Sequence, residues 1–221
     1  MELFYQSTVV KTVQVIFLQL LSANPTTLYC GCTFDSSLRV DLASCHMEAA
    51  GPYKRAHYVE WEHIMPAENI GKQRECWQKK ICIRANKPYK GRKCCELIDP
   101  VFQKEEAELY NIWPSVGLVN QARSNYRYSP LETKNGFFGC DFEVDKKMRK
   151  VEPADTVKGI VARANLFMAY KYGIDVSEAQ LKLFAAWDKQ FPPQAWEREW
   201  ATKVMRIEGH PNPYIENHRI N

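Results

Sequence analysis

The stretch VEWEHIMPAENIG, Val59 to Gly71, sets a carboxylate and an imidazole side by side at Glu62 and His63, just before Pro66. Neighbouring residues on a strand point to opposite faces, so the two serve one site only where the strand ends or twists. Pro66 ends it, because proline cannot donate a ladder hydrogen bond. A carboxylate holds a hard divalent cation, and an imidazole deprotonates water near neutral pH. On a surface hairpin the same pair is merely solvated, so the neighbourhood must decide. Downstream, NIWPSVGLVNQARSNYRYS turns at Pro114 and Gly117 and offers Asn111, Asn120 and Asn125 as neutral oxygen ligands. One amide oxygen beside one carboxylate leaves Mg²⁺ most of its waters and open positions for phosphate oxygens. Asparagines are equally common as caps and turn formers.

These residues need elements to position them. At 221 residues, 45% hydrophobic and 25% charged, the chain can bury a full core, which excludes a disordered or low-complexity class. A net charge of +4 from 30 basic and 26 acidic residues is too small to argue for a polyanionic partner by bulk charge alone, so any nucleic-acid surface must be a local patch. Short strand-like pieces alternate with turns from Tyr29 to Tyr58, and Cys76 to Cys95 is basic and cysteine-rich. From Pro153 onward the pattern is helical. DTVKGIVARANLFMAYKYG places apolar residues at 157, 160, 161, 164, 167 and 168, with Gly173 suited to a left-handed C-cap. SEAQLKLFAAW opens on Ser177 as N-cap, with Gln180 reaching back in a capping box. Val9 to Leu21 reads as an amphipathic helix of the mature fold ending before Pro25, with a signal peptide absent and no run able to span a membrane.

Eight cysteines, at 30, 32, 45, 76, 82, 94, 95 and 140, form an even set without paired C-x-x-C knuckles or histidines at finger spacing. That favours disulfides in an oxidising compartment over structural zinc. Cys30 and Cys32 share a face of an extended segment and cannot easily bridge each other, so each needs another partner.

YCGC, VEWEHIMPA, GKQRECWQ, PSVGLVNQARSN and GHPNPY, in that order from Tyr29 to Tyr214, together resemble the bacterial endonuclease I family of periplasmic or secreted non-specific nucleases. The resemblance implies an α+β fold with a ββα-metal (His-Me finger) motif, its small antiparallel sheet flanked by helices. One domain would span 1–221, with a mixed, disulfide-bearing catalytic part over 29–150 and a mainly helical part over 151–216. It implies His63 as general base, Glu62 and Asn120 as ligands of one Mg²⁺, with Mn²⁺ or Ca²⁺ as other occupants, and Arg92 of GRKC at the phosphate. DNA, and RNA as well, would be cut to 5′-phosphate and 3′-hydroxyl ends by a monomer.

Sequence-independent binding needs only backbone contacts. The candidates are Lys79, Lys80, Arg84, Lys87, Lys90 and Lys93, with Arg123 and Arg127 near the motif's helix. Family precedent pairs Cys30 with Cys140 and Cys32 with Cys45. Cys76 with Cys94 and Cys82 with Cys95 are expected beside them, the swap Cys76–Cys95 with Cys82–Cys94 staying open because Cys94 and Cys95 are adjacent. The chain departs from the family at Glu68, at Gln121 and Ala122, in an insertion between Trp77 and Gly91, and at Trp196 to Glu199, where a family cysteine would fall. Those departures permit a reading of another class, an exported, disulfide-stabilised nucleic-acid-binding protein without catalysis. Intact Glu62, His63, Arg92 and Asn120 favour the enzyme.

Overall fold

The computed structural model describes residue 20 and residues 25–218. The helix expected over Val9 to Leu21 lies, but for Leu20, outside them. After strand β1 (Val59–His63) the chain makes an excursion through α1 (Ala67–Gly71), α2 (Glu75–Gln78), a hairpin of β2 (Cys82–Arg84) and β3 (Lys87–Tyr89), α3 (Arg92–Ile98) and α4 (Pro100–Glu106). It returns as β4 (Ile112–Val116), which pairs antiparallel with β1 and runs directly into α5 (Gly117–Arg123). The register sets Glu62 opposite Trp113 and His63 opposite Ile112, so both candidate groups sit where the ladder stops.

The excursion is held by local chemistry. Ala85 and Asn86 both take left-handed φ, 48° and 59°, as a two-residue hairpin turn requires. Pro100 follows Asp99, whose carboxylate accepts from Phe102 N at 2.9 Å and caps α4. Beyond α5 lie β5 (Arg127–Tyr128), β6 (Phe142–Asp145) and β7 (Lys150–Pro153), in the order β5-β7-β6. The β1–β4, β2–β3 and β6–β7 pairings are antiparallel, as the small antiparallel sheet of the resemblance implies, and β5–β7 adds a parallel pairing. β7 also crosses the division expected at residue 150.

The last third is helical: α6 (Asp155–Tyr172), α7 (Glu178–Gln190), α8 (Ala195–Glu208) and the short α9 (Pro213–Glu216). Helix exceeds strand, and the architecture is α+β. All six apolar positions expected on α6, from Val157 to Met168, are buried, and Gly173 closes the helix at φ 63°. Only half of the capping box forms. Ser177 Oγ accepts from Gln180 N, but the Gln180 amide donates to Tyr128 O at 2.9 Å instead of reaching back. Glu197, in the stretch where the resemblance places a cysteine, grips Arg163 of α6 with bonds of 2.7 and 2.6 Å, both side chains 2% exposed.

Four disulfides form among the described residues. Cys30–Cys140 and Cys32–Cys45 are as family precedent implies. The other two are Cys76–Cys95 and Cys82–Cys94, so the expected Cys76–Cys94 and Cys82–Cys95 give way to the swap. Consecutive residues on a helix are turned by about 100°. On α3, Cys95 therefore faces α2 and Cys94 faces β2.

Candidate active site

Past His63 the β1–β4 ladder is finished by a side chain. Asn111 is fully buried; its Oδ1 accepts from Met65 N at 2.7 Å and its Nδ2 donates to Met65 O at 3.0 Å. The chain then bends at Pro66. Asn111, one of three amides expected as oxygen ligands, is thus consumed by backbone. Asn125 is engaged too: its Nδ2 donates to Glu68, and its Oδ1 accepts from Arg149 at 2.6 Å. Of the three, Asn120 keeps its carbonyl oxygen unengaged among the described residues, because its Nδ2 donates to Glu60 Oε2 at 3.1 Å.

A cleft of about 310 Å³ gathers Trp61, Glu62, His63, Trp77, Arg92 and Asn120, with Glu68 and Asn125 at its edge. A cavity of about 670 Å³ behind Tyr29 is larger and is lined by His46, Asp141, Asp155 and Gln194, but no guanidinium lines it. Glu62 is 3% exposed. Its Oε1 accepts from Tyr29 at 2.7 Å and lies 3.2 Å from Arg123 Nε, while no hydrogen bond among the described residues falls on Oε2. Tyr29 spends its proton on Glu62, so Tyr128 donates in the 2.6 Å contact between the two phenols. Burial raises the Glu62 carboxyl, and Arg123 and the Tyr29 hydroxyl pull it back.

His63 Nε2 lies 2.9 Å from Glu106 O. A carbonyl only accepts, so Nε2 carries the proton and Nδ1 keeps the lone pair. Burial, with Arg92 and Arg123 adding to it, lowers the imidazole from 6.5 to about 4, so at neutral pH it is an uncharged base. Gly91, at φ 93°, turns the chain into α3 and exposes Arg92. Arg92 Nε is held by Glu106 Oε1 at 2.5 Å and lies 3.1 Å from Glu96 Oε1, leaving both Nη groups without a partner among the described residues. Glu106, at the end of α4, thereby holds the imidazole by its carbonyl and the guanidinium by its carboxylate.

Of the basic residues expected to meet nucleic acid, Lys79, Lys80, Arg84, Lys87, Lys90, Lys93 and Arg127 are exposed. Lys79 pairs with Glu75 at 3.0 Å and Lys93 with Glu96 at 2.6 Å, surface pairs of little strength. Arg123 is a correction. At 1% exposure it lies under the strand end, donating to His63 O at 3.1 Å and to Ile64 O, with its guanidinium 4.8 Å from the Tyr128 ring centre. It organises the site from the buried wall of the cleft and offers almost no surface to solvent.

The donor set fits a hard divalent cation: one carboxylate oxygen and one amide oxygen, both without a hydrogen bond among the described residues, on side chains that line one polar cleft. Glu108, Glu208 and His210 form a second group of possible donors within 4.8 Å of one another. There Glu108 accepts from Tyr172 at 2.5 Å and Tyr110 N at 3.2 Å and lies 3.0 Å from His210 Nε2, while Glu208 accepts from Leu109 N.

Sequence reasoning missed Tyr29, Arg55, Glu60 and Glu106. Glu60 alone carried a signal, two residues before Glu62 and so on the same strand face.

The family model described as Endonuclease I matches residues 4–219. An extracellular deoxyribonuclease of Aeromonas hydrophila is 38% identical over 203 residues, covering 90% of this chain and 85% of that protein. A periplasmic deoxyribonuclease of the same organism is 36% identical over 211 residues, 93% of this chain and 84% of that protein. Endonuclease-1 of Buchnera aphidicola subsp. Acyrthosiphon pisum (strain APS) is 33% identical over 221 residues, 98% of this chain and 82% of that protein. The two Aeromonas relatives are extracellular and periplasmic by name, four disulfides fit an exported protein, and no helix among the described residues is long and apolar enough to cross a membrane. The match runs through the strand, helix and cleft just described, and the chain belongs to the endonuclease I family as a hydrolytic endonuclease.

Proposed function

We propose that the chain is an exported, Mg²⁺-dependent endonuclease, periplasmic or secreted, that acts as one domain and as a monomer. It hydrolyses DNA, and RNA as well, without sequence preference, leaving 5′-phosphate and 3′-hydroxyl ends. The observation that carries this reading is the 2.9 Å contact of His63 Nε2 with Glu106 O: it makes Nε2 the donor and leaves Nδ1 as a neutral acceptor on a residue that shares its cleft with Glu62, Asn120 and Arg92. β1, β4 and α5 are read accordingly as the two strands and helix of a ββα-metal motif.

His63 Nδ1 takes the proton of the attacking water as the water oxygen bonds to phosphorus and the bond to O3′ breaks, and the departing O3′ takes a proton from a second water to end as the 3′-hydroxyl. The Arg92 Nη groups hold the equatorial oxygens, and Glu106 and Glu96 keep the guanidinium aimed there without reorganisation. Glu62 and Asn120 are the residues that would hold the cation. When bound, Mg²⁺ supplies charge at the scissile phosphate and at the leaving oxygen. The exposed lysines and arginines from Lys79 after α2 through the hairpin to Lys93 of α3, with Arg127, meet phosphates and read no bases.

Plasmid cleavage with and without EDTA tests the metal, and His63→Ala tests the base. The variant should lose at least about 10²-fold in rate while still binding DNA. Cleavage at the parental rate would remove His63 from the mechanism, and cleavage in EDTA would remove the cation. End-labelling of the products should find phosphate at the 5′ ends.

A further inference from the structure

β1 and α5 face each other in two rungs. Glu60 and Glu62 share a face of the strand, being two apart, and Asn120 and Arg123 share a face of the helix, being three apart. Glu62 meets Arg123, and Glu60 meets Asn120. The first rung belongs to the site already described. The second has no part in it so far.

Glu60 is strongly held. Arg55 donates from Nε to Oε1 at 2.8 Å and from Nη2 to Oε2 at 2.5 Å, a two-pronged grip that fixes the plane of the carboxylate. Gly117 gives it room: a Cβ there would come within 2.8 Å of Glu60 Oε1 and 2.7 Å of Arg55 O. A carboxylate can only accept, so it selects the amide nitrogen of Asn120 and turns Oδ1 the other way, into the cleft. An unheld amide rotates, and half its orientations would present an N–H to a cation. Both Glu60 oxygens are engaged, so Glu60 orients a donor and is not one itself.

We propose that Glu60, clamped by Arg55, is a positioning residue that fixes the Asn120 amide with its oxygen toward a divalent cation. The inference rests on the reading of Glu62 and Asn120 as the cation's donors. Outer partners of ligating groups commonly change metal affinity by about 10- to 100-fold when removed.

The test uses the DNA-free protein with Mn²⁺ as probe, free Mn²⁺ being read by its electron paramagnetic resonance signal. Glu60→Ala should raise the Mn²⁺ Kd on the order of 10-fold. Glu60→Gln should recover most of that, because its amide oxygen still accepts from Asn120. Arg55→Ala, at an exposed position, should fall between them. In cleavage assays the half-saturating Mn²⁺ concentration should rise more than the saturating rate falls. A merely structural role would lower the thermal midpoint without the Gln rescue. If Asn120→Ala weakens Mn²⁺ binding and Glu60→Ala leaves Kd within about twofold, far under the effect of a lost outer partner, the proposal is overturned while the cation site stands. If Asn120→Ala itself leaves Kd unchanged, both fall.

Discussion

Arg123→Met separates two roles that a sequence assigns equally well. A phosphate-contacting arginine would lower DNA affinity, reduce the salt slope by about 1 and leave stability alone. The structure requires the reverse. Arg123 is 1% exposed, faces Glu62 at 3.2 Å and donates to the carbonyls of His63 and Ser124 at 3.1 Å and to that of Ile64. Methionine fills much of the volume but leaves the Glu62 carboxylate buried with Tyr29 as its one remaining donor. Removing one partner of a buried pair costs about 3–5 kcal/mol. At roughly 2–4 °C per kcal/mol for a chain of this size, the midpoint should fall by about 6–20 °C. The pKa of Glu62, already raised by burial, should rise further without its counter-charge, so the metal requirement for cleavage should rise as well. Calorimetry gives the midpoint, and DNA binding by catalytically silenced protein over a salt series gives the slope. A midpoint within about 2 °C of the parent together with a slope reduced by about 1 would put Arg123 on the DNA and refute the argument.

Three further outcomes are expected. His63, lowered to about 4, stays uncharged far below the usual imidazole range, so cleavage at saturating metal should hold from pH 8 to about 5.5; an ordinary imidazole would lose about 10-fold by that point. The stability sign follows: unfolded His63 takes up a proton below about 6.5 and folded His63 only near 4, so stability is full above that window and falls with pH through it, an effect absent in His63→Ala. Glu197→Ala removes the two-pronged partner of the Arg163 guanidinium, leaving it Asp188 at 3.1 Å and Phe191 O at 2.8 Å, and should cost about 1–3 kcal/mol in urea unfolding, whereas the double apolar replacement Arg163→Met with Glu197→Leu should recover part of the loss; equal losses would contradict the pairing. Non-reducing peptide mapping should recover Cys76–Cys95 and Cys82–Cys94, and mild reduction should lower cleavage before the helical far-UV signal of α6 to α8 is lost; simultaneous loss would deny the excursion any local role.

The helical third was readable because its signals are local. The apolar period on α6, the glycine after it and Ser177 before α7 each act within a turn or two of chain. The excursion between β1 and β4 was not, since its arrangement depends on contacts between short elements. Adjacent Cys94 and Cys95 illustrate this: both are fully buried, and only the positions of α2 and β2 around α3 decide which takes which partner. The side chain of Gln180 likewise left its local capping role for Tyr128 O, a partner 52 residues away.

Within the site, what could be read was the chemistry of single groups, and what could not was which way they face. Glu62, His63, Arg92 and Asn120 meet in one cleft, as the quoted motifs imply. Asn111 and Arg123 bear the same functional groups as Asn120 and Arg92, yet the fold turns both inward. For Arg123 the direction was in principle available. It lies three residues after Asn120 on a helix, so if Asn120 turns toward the strand that carries Glu62, Arg123 must turn there too, toward a carboxylate it can neutralise. Helix phase, combined with a single proposed ligand, therefore separates a guanidinium that faces the carboxylate proposed to hold the metal from one proposed to meet the phosphate.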